Sequence, residues 1–254
     1  MTETGCPLPT PEKNWALFLD IDGTLLELAP TPSAVVVPPD LPGLLQSLSR
    51  VLDGAVALIT GRSLADVDAL FAPLHLTAAG QHGAEISIAG GRPKRLGPGN
   101  GELKALMPRI EAFAAAHPGI LVEGKGMTIA VHCRQVPEYQ DELGAFLTGL
   151  AAEHGDRLET IWGHRVFEIK PRNVSKRTAV EHLMHVAPFA GRLPLFIGDD
   201  RTDEDGFAAV RALGGHAIRV GPELPSLATW RMADPVRVRA FLSHAAEALG
   251  VSTR

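Results

Sequence analysis

Five apolar residues, Trp15-Ala-Leu-Phe-Leu19, run straight into Asp20-Ile21-Asp22-Gly23-Thr24. An unbroken apolar run of this length reads as a strand buried on both faces, as in a parallel sheet covered by helices. Such sheets bind ligands outside the carboxyl ends of their strands, which is where Asp20 stands. Placing one carboxylate at the edge of a core is costly, and a second beside it adds like-charge repulsion. A divalent cation offsets both costs. The run therefore marks either a metal site on a strand end or a stretch that is not a buried strand.

Three further apolar runs end in the same way. Ala55–Ile59 leads into Thr60-Gly61-Arg62, Leu193–Ile197 into Gly198-Asp199-Asp200, and Ala217–Val220 into Gly221-Pro222. Between them lie stretches of helical period, such as Leu41, Leu44, Leu45, Leu48 and Leu52, or Phe207, Val210 and Leu213. Strands alternating with helices predict an α/β domain built on a parallel sheet.

The middle of the chain has a different pattern. A breaker cluster, Gly97-Pro-Gly-Asn-Gly101, precedes an amphipathic stretch with Leu103, Leu106, Met107, Ile110 and Phe113. Alternating segments follow near 120–123 and 127–134, then a helical stretch through Leu143, Phe146, Leu147 and Leu150. Two more alternating segments lie near 158–162 and 165–170. The order α-β-β-α-β-β with half-polar strands predicts an antiparallel sheet with helices on one face, inserted into the α/β domain. The expected boundaries are an N-terminal arm at 1–13, the α/β domain at 14–99 and 172–254, and the insert at 100–171. Hinges are expected in Gly97–Gly101 and near Pro171–Asn173.

Bulk properties exclude several classes. The net charge is −5 with no basic stripe, so no nucleic-acid partner is expected. No apolar run reaches the length of a membrane span, and residues 1–11 lack the charge and apolar core of a secretion signal. Cys6 and Cys133 are the only cysteines, which suits a reducing compartment, and a cytoplasmic location is expected.

Four patches fit one reaction. Asp20-Ile-Asp-Gly-Thr-Leu25 resembles a phosphotransferase motif whose first Asp is a nucleophile toward phosphorus and whose second is a general acid and base, and the resemblance implies these roles for Asp20 and Asp22. Asp199 and Asp200 supply hard oxygen ligands of the kind Mg²⁺ prefers. Thr60 offers a hydroxyl, and Lys176 a positive charge, to a phosphate.

The order Asp20-Ile-Asp-Gly-Thr-Leu25 resembles the first motif of the haloacid-dehalogenase (HAD) superfamily. From about Trp15 to Leu249 the chain resembles the trehalose-6-phosphate phosphatases within it. The residues that carry this are Leu58-Ile-Thr-Gly-Arg62, Gly80-Gln-His-Gly-Ala-Glu85, Glu123-Gly-Lys125, Val131-His-Cys-Arg134, Glu168-Ile-Lys-Pro171 and Gly198-Asp-Asp-Arg-Thr-Asp-Glu-Asp205. The resemblance implies a Rossmann-like HAD core with a C2B-type cap, and Mg²⁺-dependent hydrolysis of trehalose 6-phosphate through an aspartyl-phosphate. It implies that Asp20, the main-chain carbonyl of Asp22 and Asp199 hold the metal. Thr60, Gly61 and Lys176 would hold the phosphate, and Glu123, Lys125, Arg134 and Glu168 the sugar. A trehalose-phosphate synthase is a partner to look for, and a monomer is expected. Arg177, Cys133 and the pair His164-Arg165 depart from the family's usual residues, which bears on sugar recognition and not on the core chemistry. The alternatives are a phosphatase for sucrose phosphate or for mannosyl- or glucosyl-3-phosphoglycerate, and a non-catalytic sugar-phosphate sensor.

Overall fold

Strand β1 (Trp15–Leu19) is buried along its whole length because it is a central strand. It pairs in parallel with β2 (Val56–Ile59) on one side and β10 (Leu193–Gly198) on the other. The structure is a computed structural model that describes residues 7–31, 34–96, 101–163, 165–222 and 225–251. Cys6, most of the Gly97–Gly101 cluster and His164 lie outside the described residues, as does half of the proposed N-terminal arm.

The remaining strands of this sheet are β3 (Thr77–Gly80), β4 (Glu85–Ser87), β5 (Lys94–Arg95), β11 (His216–Val220) and β12 (Trp230–Met232). Their order is β12-β11-β10-β1-β2-β3-β4-β5. From β12 to β3 every pairing is parallel, as the alternation of strands and helices predicts. At β4 the sheet departs from that expectation, because β3 and β4 are antiparallel. Gln81–Gly83 forms one tight turn between them, too short for the crossover a parallel neighbour needs.

Four helices follow strands of the sheet: α1 (Leu41–Val51), α2 (Leu64–Phe71), α6 (Asp203–Ala212) and α7 (Pro235–Ala248). A fifth, α5 (Lys176–Met184), re-enters the domain after the insert. Alternation along β1 assigns the faces. Trp15 meets Phe241 of α7 on one face, while Phe18 stacks on Phe189 on the other. Each such ring, fully buried, contributes roughly 1.5–3 kcal/mol through the hydrophobic effect. The sheet is therefore covered on both sides.

The insert has its own core. Helices α3 (Gly101–Ala116) and α4 (Gln140–Ala152) lie against a sheet of β6 (Leu121–Gly124), β7 (Ile129–His132), β8 (Leu158–Gly163) and β9 (Val166–Pro171). The order is β6-β7-β9-β8, all antiparallel. Leu106 and Ile110 of α3 and Leu143 and Leu147 of α4 pack with Ile129, Val131, Phe167 and Ile169 of the sheet. These strand residues alternate with Ala130, Glu168 and Lys170, so one face of the sheet is apolar and the other carries the charges. Contacts divide the chain into two compact units, one formed by the residues up to Lys94 and from Ser175 onward, the other by Arg95–Val174.

Candidate active site

The site of the first unit grows from the carboxyl ends of three adjacent strands. Asp20 follows β1, Thr60 follows β2, and Asp199 follows β10. Helix α5 brings Lys176 to the same place. Ser175 caps this helix, accepting from the Thr178 N–H while Thr178 bonds back to the Ser175 N–H. Lys176 is thus the first residue after the cap, and its ammonium donates to Asp20 Oδ1 at 2.7 Å and to Asp203 Oδ1 at 2.6 Å.

Asp203 has no assigned role in the sequence reading, yet it is the most enclosed carboxylate here, with no exposed surface. Its Oδ2 accepts the main-chain N–H groups of Asp199, at 3.0 Å, and Asp200, at 2.9 Å. Asp203 thereby ties the Gly198–Asp200 loop to Lys176. The approach is so close that a Cβ on Gly198 would lie 2.3 Å from Asp203 Cγ. The run 199–205 contains several carboxylates that suit a helix start. The one available signal for Asp203 is its spacing, four residues after Asp199 at the first turn of α6.

Asp199 takes the hydroxyl of Thr24 at 3.3 Å and lies against Gly23, where φ is +80° and a Cβ would fall 2.1 Å from Asp199 Oδ2. Glycine is therefore required after Asp22 on two counts, its conformation and its closeness to the carboxylate. Asp22 itself is gripped by Arg62, whose Nε and Nη2 donate to its two oxygens at 2.6 and 2.7 Å. Thr60 Oγ1 accepts the Arg62 N–H at 3.2 Å, a bond that uses a lone pair and not the hydroxyl proton. Gly61 lies between them. The first unit thus assembles the sequence-predicted Asp20, Asp22, Thr60, Gly61, Lys176 and Asp199, and adds Thr24, Arg62 and Asp203.

Charge in this site is unbalanced. Asp20, Asp199 and Asp203 each offer an oxygen within 4.8 Å of the others. Burial pushes the Asp20 carboxyl well above the ordinary range; Lys176 opposes this, while Asp203 and Asp199 add to it. Burial, with Asp203 next to it, pushes Asp199 up to about 7. Burial pulls the Lys176 ammonium downward, but Asp20 and Asp203 outweigh that and hold it above its usual range. One ammonium is thus insufficient for three crowded carboxylates, two of them buried. Hard oxygen donors crowded in this way fit a Mg²⁺ ion. Both Asp203 oxygens are already engaged, which leaves Asp20 and Asp199 as the side chains suited to hold it.

In the second unit, β6 and β9 carry the other predicted residues. Lys125 continues the ladder beyond β6 through its N–H to the Thr128 carbonyl at 3.0 Å. Glu168 Oε1 accepts from Lys125 Nζ at 3.3 Å and from Thr128 Oγ1 at 2.6 Å. Glu123 pairs with His132 Nε2 at 3.1 Å, and this hydrogen bond holds its carboxyl below the ordinary range. Arg134 is exposed, two residues past β7. Lys170, on the same face as Glu168, is buried against Glu159 and the Val174 carbonyl.

The family model for trehalose-phosphatases matches residues 18–235. The chain belongs to the trehalose-phosphatase family. A probable trehalose-phosphate phosphatase of Sinorhizobium fredii is 44% identical over 219 residues, covering 86% of this chain and 82% of that protein. The trehalose-6-phosphate phosphatase of Escherichia coli is 38% identical, covering 98% and 93%. Among solved structures, the C-terminal domain of the Candida albicans trehalose-6-phosphate phosphatase superposes with a TM-score of 0.81 at 21% identity, covering 92% of each chain. The chain therefore has the HAD-like fold with an inserted α/β unit. No helix among its described residues is long and apolar enough to cross a membrane.

Proposed function

We propose that this chain is a Mg²⁺-dependent phosphomonoesterase that hydrolyses trehalose 6-phosphate to trehalose and inorganic phosphate. The observation that carries the reading is Asp20, buried at the end of β1, hydrogen-bonded to Lys176 and flanked by Asp199. Asp20 is the nucleophile. One of its carboxylate oxygens bonds to phosphorus as the bond from phosphorus to the sugar oxygen breaks, and Asp22 gives that oxygen its proton. Asp22 then takes a proton from water, whose oxygen attacks the aspartyl-phosphate, releasing phosphate and restoring Asp20. Thr60, Gly61 and Lys176 hold the transferring group, and its charge is met by Lys176 without reorganisation. Arg62 fixes the orientation of Asp22 through a two-point grip that a lysine would not reproduce. Asp20 and Asp199, with the main-chain carbonyl of Asp22, would hold Mg²⁺, which supplies countercharge to the phosphoryl oxygens.

Substrate choice is assigned to Glu123, Lys125, Arg134 and Glu168, which would hydrogen-bond the disaccharide hydroxyls. The support is the charged face of the second unit's sheet; polar contacts of this kind separate sugars better than apolar ones do. Monomeric action in the cytoplasm, beside a synthase that supplies the phosphorylated disaccharide, completes the reading.

The test is phosphate release from a panel of sugar phosphates with Mg²⁺, wild type beside Asp20→Asn. The expected result is trehalose 6-phosphate far ahead of the others, with at least about a thousandfold loss in the variant. Asp20-dependent release from a different sugar phosphate would refute the substrate, and no Asp20-dependent release from any would refute the activity.

A further inference from the structure

The turn between β3 and β4 is strained and has no part in the chemistry assigned above. Both Gln81 (φ 49°) and His82 (φ 57°) are left-handed, although neither is glycine. Each such residue costs about 1–2 kcal/mol. Strain of this kind persists where the surroundings over-determine it. Here the surroundings are the two backbone segments that carry the proposed phosphate ligands.

On one side lies the Thr60 loop. The Gln81 N–H donates to the Arg62 carbonyl at 2.8 Å and the His82 N–H to the Thr60 carbonyl at 2.9 Å. These bonds hold both carbonyls that flank Gly61. The His82 imidazole rests against Gly61 itself, where a Cβ would lie 2.8 Å from ring atoms Cε1 and Nε2. Glu85 fastens the next residues, its Oε1 accepting from the Leu64 N–H and from Gln81 Nε2, each at 2.9 Å. On the other side lies α5. Gly83 (φ +102°) comes so near it that a Cβ would lie 2.5 Å from the Ser175 carbonyl oxygen, one residue before Lys176.

We infer that His82 is a positioning residue for phosphoryl transfer: its ring and left-handed backbone set the Thr60–Arg62 loop against the first turn of α5, and so fix the Thr60 hydroxyl relative to the Lys176 ammonium. The inference rests on the reading of Thr60 and Lys176 as phosphate ligands. The loop contains a glycine and needs external bracing to keep one shape. Misplacing a catalytic group by about 1 Å can cost about a hundredfold in rate.

The experiment compares wild type with His82→Asn, a residue that accepts the left-handed region but lacks the ring. It reads thermal unfolding, the affinity for inorganic phosphate with Mg²⁺, and kcat and KM separately. The expected variant is folded, with phosphate binding weakened about tenfold and kcat lowered about ten- to a hundredfold. A ring that merely stabilised the turn would lower the unfolding midpoint and leave phosphate affinity and kcat per folded molecule at wild-type levels; that result overturns the inference. If His82→Asn does not fold, His82→Gly removes the ring and relieves the strain, and the same two readings decide. Wild-type protein that binds phosphate yet releases none from any sugar phosphate would refute the proposed activity. The phosphate affinities would still decide on His82.

Discussion

Lys176 stands where its own helix disfavours it, since a cation at a helix N-terminus faces the positive end of the macrodipole. The two carboxylates it reaches, Asp20 and Asp203, outweigh that repulsion because all three groups are buried. Removing it leaves two buried carboxylates without a countercharge. Lys176→Met should therefore destabilise the protein by about 3–5 kcal/mol at pH 8. At pH 5 the loss should be smaller, because the raised Asp20 carboxyl can take up a proton instead; denaturant unfolding at the two pH values checks this. Asp199 sets a second dependence. Its carboxyl is held up to about 7 against an ordinary 3.8, so the folded protein keeps a proton that the unfolded chain has lost across that window. Without metal, stability should fall as pH rises from about 4 to about 7. Mg²⁺ needs the ionised form and should raise the unfolding midpoint more at pH 8 than at pH 5. An equal rise at both values would separate the metal from Asp199.

At the scale of elements, close approach is paid for in side-chain volume. Helix α6 crosses β10 at Gly206, where a Cβ would lie 2.5 Å from the Phe196 ring. Gly206→Ala should cost about 1–3 kcal/mol by overpacking. The same shift would move Asp203, three residues back on the helix, so the Lys176 contact should loosen and kcat fall with stability. Elements of this kind differ in how far a linear reading can find them. β1 and β10 announce themselves because burial on both faces demands an apolar run. β3 does not: Thr77-Ala-Ala-Gly80 is buried by its neighbours and carries no large apolar side chain of its own. α2 and the two-residue β5 are too short for periodicity to register. The site divides likewise. Asp20, Thr60 and Asp199 are legible because strand ends are, whereas Asp203 and Arg62 become evident only once a turn of helix or a reversing loop brings them to their partners. The alternation that separates Glu168 from Phe167 and Ile169 is legible throughout, since two-residue periodicity needs no tertiary information.

In the molecule as a whole, each unit has a hydrophobic centre of its own. Leu147 is fully buried among residues of the insert. Leu147→Ala should cost about 2–5 kcal/mol. Hydrogen exchange should show the loss in β7 and β9, while the amides of β1 and β10 keep their protection. Equal loss in both would mean that the two units unfold as one. The insertion also has a consequence for synthesis. Lys176 and Asp20 are 156 residues apart in sequence, with the whole second unit between them. On the ribosome, Asp20 and Thr60 emerge early, yet the ammonium and the remaining carboxylates follow only after the insert has been made. The insert is free to fold first, while β1 waits with one edge bare until β10 arrives. A nascent chain interrupted anywhere before Asp203 therefore lacks the cluster that joins Asp20, Lys176 and Asp203, however much of the insert's charged sheet face it has already completed.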